Sequence, residues 1–190
     1  SRKWFIRPST RALRGWGVYL SIAAPAFFML GLEMAAWETI EFPAGLCKPS
    51  PQAALGAFAI LYNLCYVLEA PGFGLCGGAG ALVGNALGAG KPDDARQAAH
   101  IALLTAVTVA ALTSSGLYGL AQSGYVFELY HADEASTALA VSLLPELCIG
   151  VFCSNIAWAV AGVLGGAGRQ HAVWPCTFVA YFLIGLPLGA

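Results

Sequence analysis

Apolar residues in this chain come in long runs rather than at alternating or 3.6-residue positions. Five such segments stand out, at residues 16–42, 53–88, 98–121, 137–166 and 172–190. Each complete one meets the roughly 20-residue length that a helix needs to cross a bilayer. Only helices and closed barrels satisfy their own backbone groups in lipid, and uninterrupted apolar runs do not suit barrel strands. The pattern predicts an all-α membrane protein, a polytopic helix bundle of about five spans, preceded by a basic segment at residues 1–15.

Polar breaks separate the runs. Cys47-Lys48-Pro49-Ser50-Pro51 is a short turn. Gly88 to Asp94 holds Lys91 and Pro92, and Pro92 suits the opening of a helix. Residues 122–136 carry Glu128, His131, Asp133 and Glu134, and Gly165 to Gln170 forms a second glycine-rich, basic break. With five crossings, Arg2, Lys3, Arg7, Arg11, Arg14, Lys91, Arg96 and Arg169 fall on one side and Lys48 alone on the other. The positive-inside rule makes the arginine-rich side cytoplasmic.

Composition agrees with this picture. The 190 residues are 58% hydrophobic and only 10% charged. That is too few charges for a water-facing surface, since soluble domains carry about a quarter. A net charge of −1 without a basic patch excludes a nucleic-acid partner. The six cysteines include no C-x-x-C pair, so they read as small packing residues rather than metal ligands. The chain starts at Ser1 and stops within an apolar run, so both ends read as cut.

Candidate chemistry lies in acids at membrane depth, which are costly and mark functional sites by default. The first segment holds Glu33, Glu38 and Glu41. At about 100° per residue, Glu38 and Glu41 share a face and Glu33 is offset from Glu41 by about 80°. Glu33 and Glu38 lie deeper and are the candidates for ion, proton or cation handling; Glu41 sits by Pro43 at the outer interface. A carboxyl held out of water resists ionisation, so a proton and a cationic substrate can compete for it. The plainer alternative is a buried, neutral acid bonded to another helix. Trp37, next to Glu38, is placed to wall a cavity by cation–π contact, or simply to pack.

The second segment adds Asn63, Glu69 and Pro71. Proline removes a backbone bond and predicts a kink beside Glu69. Glu146 after Pro145 is a similar case nearer the outer end. Gly72, Cys76, Gly80, Gly84 and Gly88 recur every four residues, a smooth stripe that permits close helix contact; Pro71, Gly80, Gly84 and Gly88 are the structural or hinge candidates. Gly72 to Gly77 also fits G-x-G-x-x-G, but inside a span with no preceding strand that match carries no dinucleotide site. No nucleophile–base or metal constellation converges in the spans, so the chain reads as no enzyme, with no cofactor beyond a coupling ion.

Several strings together resemble the multidrug and toxin extrusion (MATE) family in its eukaryotic branch. Met29 to Glu33, Trp37-Glu38 and Ala44-Gly45 resemble its seventh helix, with two glutamates five apart. Ala54 to Ala57, Pro71-Gly-Phe and Val83-Gly-Asn-Ala-Leu-Gly-Ala-Gly-Lys-Pro92 with Ala95-Arg96 resemble the eighth helix and its loop. Gly162 to Gln170, Tyr181 and Gly185 to Gly189 resemble the tenth and eleventh. The resemblance implies a two-lobe carrier of roughly a dozen helices, of which this chain would be most of the second lobe. It implies proton- or sodium-coupled export of organic cations, in the plasma membrane or a vacuolar or organellar membrane, with the N-terminal lobe and the bilayer as partners. By that match, Glu33 and Glu38 fall on acidic transport positions. The chain departs from the pattern at Asn63 and Ser154, where the family often has acids, and at Leu82 and Gly165, where it has arginines. An alternative function is a lipid or lipid-linked oligosaccharide flippase, disfavoured by spans nearly free of Lys and Arg; another is a non-transporting membrane subunit.

Overall fold

A computed structural model describes residues 14–48, 50–122, 124–185 and 187. Most of the basic segment, residues 1–13, and residues 186 and 188–190 of the fifth apolar run lie outside them. No strand occurs among the described residues. Helix α1 spans Trp16–Ala44, α2 Pro51–Gly88, α3 Pro92–Gln122, α4 Tyr125–Glu128, α5 Glu134–Ser142, α6 Leu144–Gly166 and α7 Val173–Phe178. Four of them, α1, α2, α3 and α6, are long and apolar enough to cross a membrane.

The local chemistry sets the ends. Ser50 caps α2, its Oγ accepting from the Ala53 N–H at 3.3 Å, with Pro51 in the first turn. Asp93 and Asp94 sit in the first turn of α3, where the helix dipole favours negative charge. Asp133 caps α5 by accepting from the backbone N–H of Ser136 at 2.9 Å and from its hydroxyl at 2.6 Å.

Two spans differ from the sequence pattern. The run at 137–166 is divided at Leu143, between α5 and α6. Pro145 has no N–H to continue the helix, and it opens a new one instead. The run from 172 is not one α-helix over the described residues. A 3-10 turn at Gln170–Ala172 leads into α7, which widens into a π-helical stretch at Val179–Gly185. By contrast, α2 runs through Pro71 without a break.

The core is a seam between α2 and α6. A Cβ at Gly72 would stand 2.6 Å from the Asn155 Oδ1, one at Gly80 3.2 Å from the Gly162 oxygen, and one at Gly84 3.4 Å from the Gly166 oxygen. A Cβ at Gly162 would run into the backbone of Cys76, and one at Gly56 into the side chain of Ser136. These pairings advance together along both helices, so α2 and the α5–α6 stretch run parallel. Helix α3 returns between them, packed on both. The expected glycine stripe is this seam, except that Gly88 meets open space. A cluster of Ala57, Ile60, Leu117, Phe127, Ala140 and Leu144 closes the end near α4 and α5.

Candidate functional site

Helix α1 lies antiparallel to α2, and acids from the two helices meet. Glu33 and Glu69, with Leu30, Met34, Trp37, Tyr62, Cys65, Tyr66, Ala70, Phe73 and Trp158, line a cleft of about 400 Å³. The spacing of α1 brings this about: residues 30, 33, 34 and 37 form one helical face, and 62, 65, 66, 69 and 73 form another on α2.

Both oxygens of Glu69 have donors. The Cys65 thiol donates to one at 3.2 Å, and the Trp158 indole N–H donates to the other at 3.3 Å. Tyr181, carried on the π-helical stretch, lines a cleft together with Glu33. Helices widened in this way recur at functional sites.

Aromatic rings wall the rest. Trp37 meets Tyr62 edge-on at 5.4 Å, Tyr62 stacks with Phe58 at 6.0 Å and with Tyr66 at 6.4 Å, and Phe73 meets Trp158 edge-on at 4.9 Å. Carboxyls among aromatic faces suit a cation, which gains both from the charge and from the ring quadrupoles. A second cleft, of about 540 Å³, lies between α6 and residues 172–181. Glu33 and Trp158 line it too, along with Cys153, Ser154, Cys176, Thr177 and Tyr181.

Of the sequence candidates, Glu33, Trp37 and Glu69 come together here. Glu38 does not: it is exposed and lines a separate cleft with Glu41, Phe42, Gly45 and Leu46. Asn63 is exposed, and its amide donates to the Ala59 carbonyl of its own helix at 2.8 Å. Pro71 lies two residues from Glu69 and lines neither cleft, while Leu82 borders a groove between α2 and α3. Trp158 and Tyr181 were not legible as site residues. The usable signal for Trp158 was its position one turn beyond Asn155 on a face that also carries Val151, Ala159 and Gly162. Among the described residues, no cluster of His, Cys, Asp and Glu could hold a metal ion.

The chain is 30% identical to human Multidrug and toxin extrusion protein 1 over 181 residues, covering 95% of the chain and 31% of that protein. It is 34% identical to rabbit Multidrug and toxin extrusion protein 2 over 184 residues, covering 95% of the chain and 29% of that protein. It is 27% identical to an uncharacterized transporter of Schizosaccharomyces pombe over 180 residues, 95% of the chain and 32% of that protein. The chain thus spans about a third of the length of these curated relatives. No solved structure matches it. The MatE family model matches residues 25–190, so the match takes in α1 from Pro25 onward, the other long helices and the residues that line both clefts. An integral-membrane helix bundle of this sequence belongs to the MatE family.

Proposed function

We propose that the full-length protein is a secondary active exporter that exchanges protons or sodium ions for organic cations, and that this chain supplies its acidic cargo site. The observation that carries the reading is the meeting of Glu33 and Glu69 in one aromatic-walled cleft. With one of the two acids protonated, the pair carries a single negative charge that either a second proton or a monovalent organic cation can neutralise, which is the minimum an exchanger requires. Flat cations are the favoured cargo because rings line the cleft on three helices. The printed names of the relatives, multidrug and toxin extrusion proteins, support the same reading.

Arg14, Lys91, Arg96 and Arg169 lie at one end of the bundle, which we take as the cytoplasmic end; Lys48 lies at the other. Export then proceeds by alternating access, this lobe working against an N-terminal one. The chain alone is expected not to transport. The test uses the full-length protein in sealed vesicles with an imposed pH gradient and ethidium as the probe. Glu33→Gln and Glu69→Gln are each expected to abolish gradient-driven ethidium movement while leaving the protein inserted. Unchanged flux in both would overturn the reading.

A further inference from the structure

Glu69 stands in its cleft already held. A glutamate side chain is flexible, and a cargo that has to order it loses affinity in doing so. Here two donors from different helices do the ordering first. The Cys65 thiol, one turn back on α2, donates to one oxygen at 3.2 Å, and the Trp158 indole N–H, from α6, donates to the other at 3.3 Å. A carboxylate offers about four acceptor positions, so these two donors leave room for cargo.

The α6 donor is itself anchored at this level of α2. Asn155, one turn before Trp158 and on the same side of α6, donates to the Leu68 carbonyl at 3.2 Å. Its backbone lies against Gly72, and the Trp158 ring meets Phe73 edge-on at 4.9 Å. Leu68, Glu69, Gly72 and Phe73 thus form one strip of α2, gripped by two residues of α6. Asn155 is fully buried, so the indole is carried on the packed seam and not on a free edge.

Resting on the carboxylate site proposed above, we propose that Trp158 and Cys65 are positioning residues for Glu69. Together they hold its carboxylate in the cleft as a preformed counter-charge for the cargo. Trp158 supports cargo binding through its hydrogen bond to Glu69 and not by stacking on the cargo. The indole N–H is the group that matters, and the ring, packed against Phe73, serves to place it.

The test is a double-mutant cycle, read by ethidium fluorescence titration of the full-length protein in detergent. Trp158→Phe keeps a ring against Phe73 and removes the N–H donor. It is expected to raise the ethidium Kd about fivefold, within the range of coupling between bonded neighbours. In a Glu69→Gln background, where no carboxylate is left to hold, the same change is expected to raise the Kd by less than about twofold. An equal loss in both backgrounds would mean that the ring touches cargo, and would overturn the proposal; so would an unaltered Kd in a folded Trp158→Phe. Cys65 supplies an arm that does not depend on the tryptophan. Cys65→Ser keeps a donor at the same place and is expected to bind ethidium about fivefold more tightly than Cys65→Ala. Equal Kd values for these two would overturn the grip on both oxygens, and they decide the matter if Trp158→Phe fails to fold. Weakened binding in Glu69→Gln with failure of both arms would remove the grip alone; unweakened binding in Glu69→Gln would remove the site beneath it.

Discussion

Gly72 of α2 lies directly against Asn155 of α6, so closely that a methyl group on Gly72 would stand 2.9 Å from the Asn155 Cα. Asn155 is fully buried, and its amide donates to the Leu68 carbonyl of α2 at 3.2 Å and to the Val151 carbonyl at 2.9 Å. The Asn155 Oδ1 has no hydrogen-bond partner and faces Gly72. The amide orientation is settled by its two carbonyl acceptors, so the contact cannot be relieved by a flip. Gly72→Ala is therefore expected to destabilise the bundle by about 1–3 kcal/mol, as overpacking does. Gly74→Ala, with nothing within 4 Å, is expected to be silent. Thermal unfolding of the purified full-length protein in detergent compares the two.

The seam further along is less forgiving. At Gly162 the obstruction is Cys76 backbone, with its Cα 2.7 Å from an added Cβ, and no side chain can swing aside. Gly162→Ala is expected to cost at least the upper end of the roughly 1–3 kcal/mol overpacking range and to leave little folded protein. Gly88→Ala and Gly165→Ala, both open to space, are expected to match the unaltered protein in the monodisperse fraction on size-exclusion chromatography.

The three glutamates should rank by place. Loss of Glu33 or Glu69 is expected to weaken ethidium binding about tenfold or more, the effect of removing a roughly 1.5–3 kcal/mol interaction with a charged group. Glu38, exposed in its own cleft, should matter by less than about fivefold, as exposed charge pairs do. Fluorescence titration of Glu33→Gln, Glu69→Gln and Glu38→Gln orders them; equal losses would break the ranking.

One acid titrates outside the membrane in a defined direction. The Ser136 hydroxyl, and then its backbone N–H, hold the Asp133 carboxyl below its ordinary value of 3.8. A lowered value means the cap stabilises the folded form above 3.8 and is lost as pH falls through the lower, folded value. Asp133→Ala is expected to lower the melting temperature at pH 7 and to lose that difference in strong acid. A difference that persists in acid strong enough to protonate Asp133 in the folded protein would point to packing rather than charge.

The sequence exposed the long helices because membrane crossing demands an unmistakable composition. It also exposed the stripe of Gly72, Cys76, Gly80 and Gly84, since small residues every fourth position have one geometric use. It did not show that Leu143 divides a run, because an apolar break at a proline looks like an apolar helix. Nor did it show which acids meet. Glu33 and Glu38 both lie inside their run on faces about 140° apart, and only the packing of α1 on α2 shows which face turns toward Glu69. Trp158 stayed hidden because its partner is 89 positions earlier in the chain.

Where Gly80 and Gly84 meet Gly162 and Gly166, the seam is backbone against backbone, and this has a mechanical result. Backbones that touch directly offer no rotamers to exchange and no room to slip, so α2 and α6 must travel as one block. Helix α1 is the looser member, with none of its most apolar window buried, against about a fifth for each of the other three. Any bending of the bundle is then left to α1 and the stretch around Tyr181, whose side chain lines a cleft with Glu33. A tilt of either one alters the spacing of those two side chains, so the shape of the bundle and the surroundings of that acid change together.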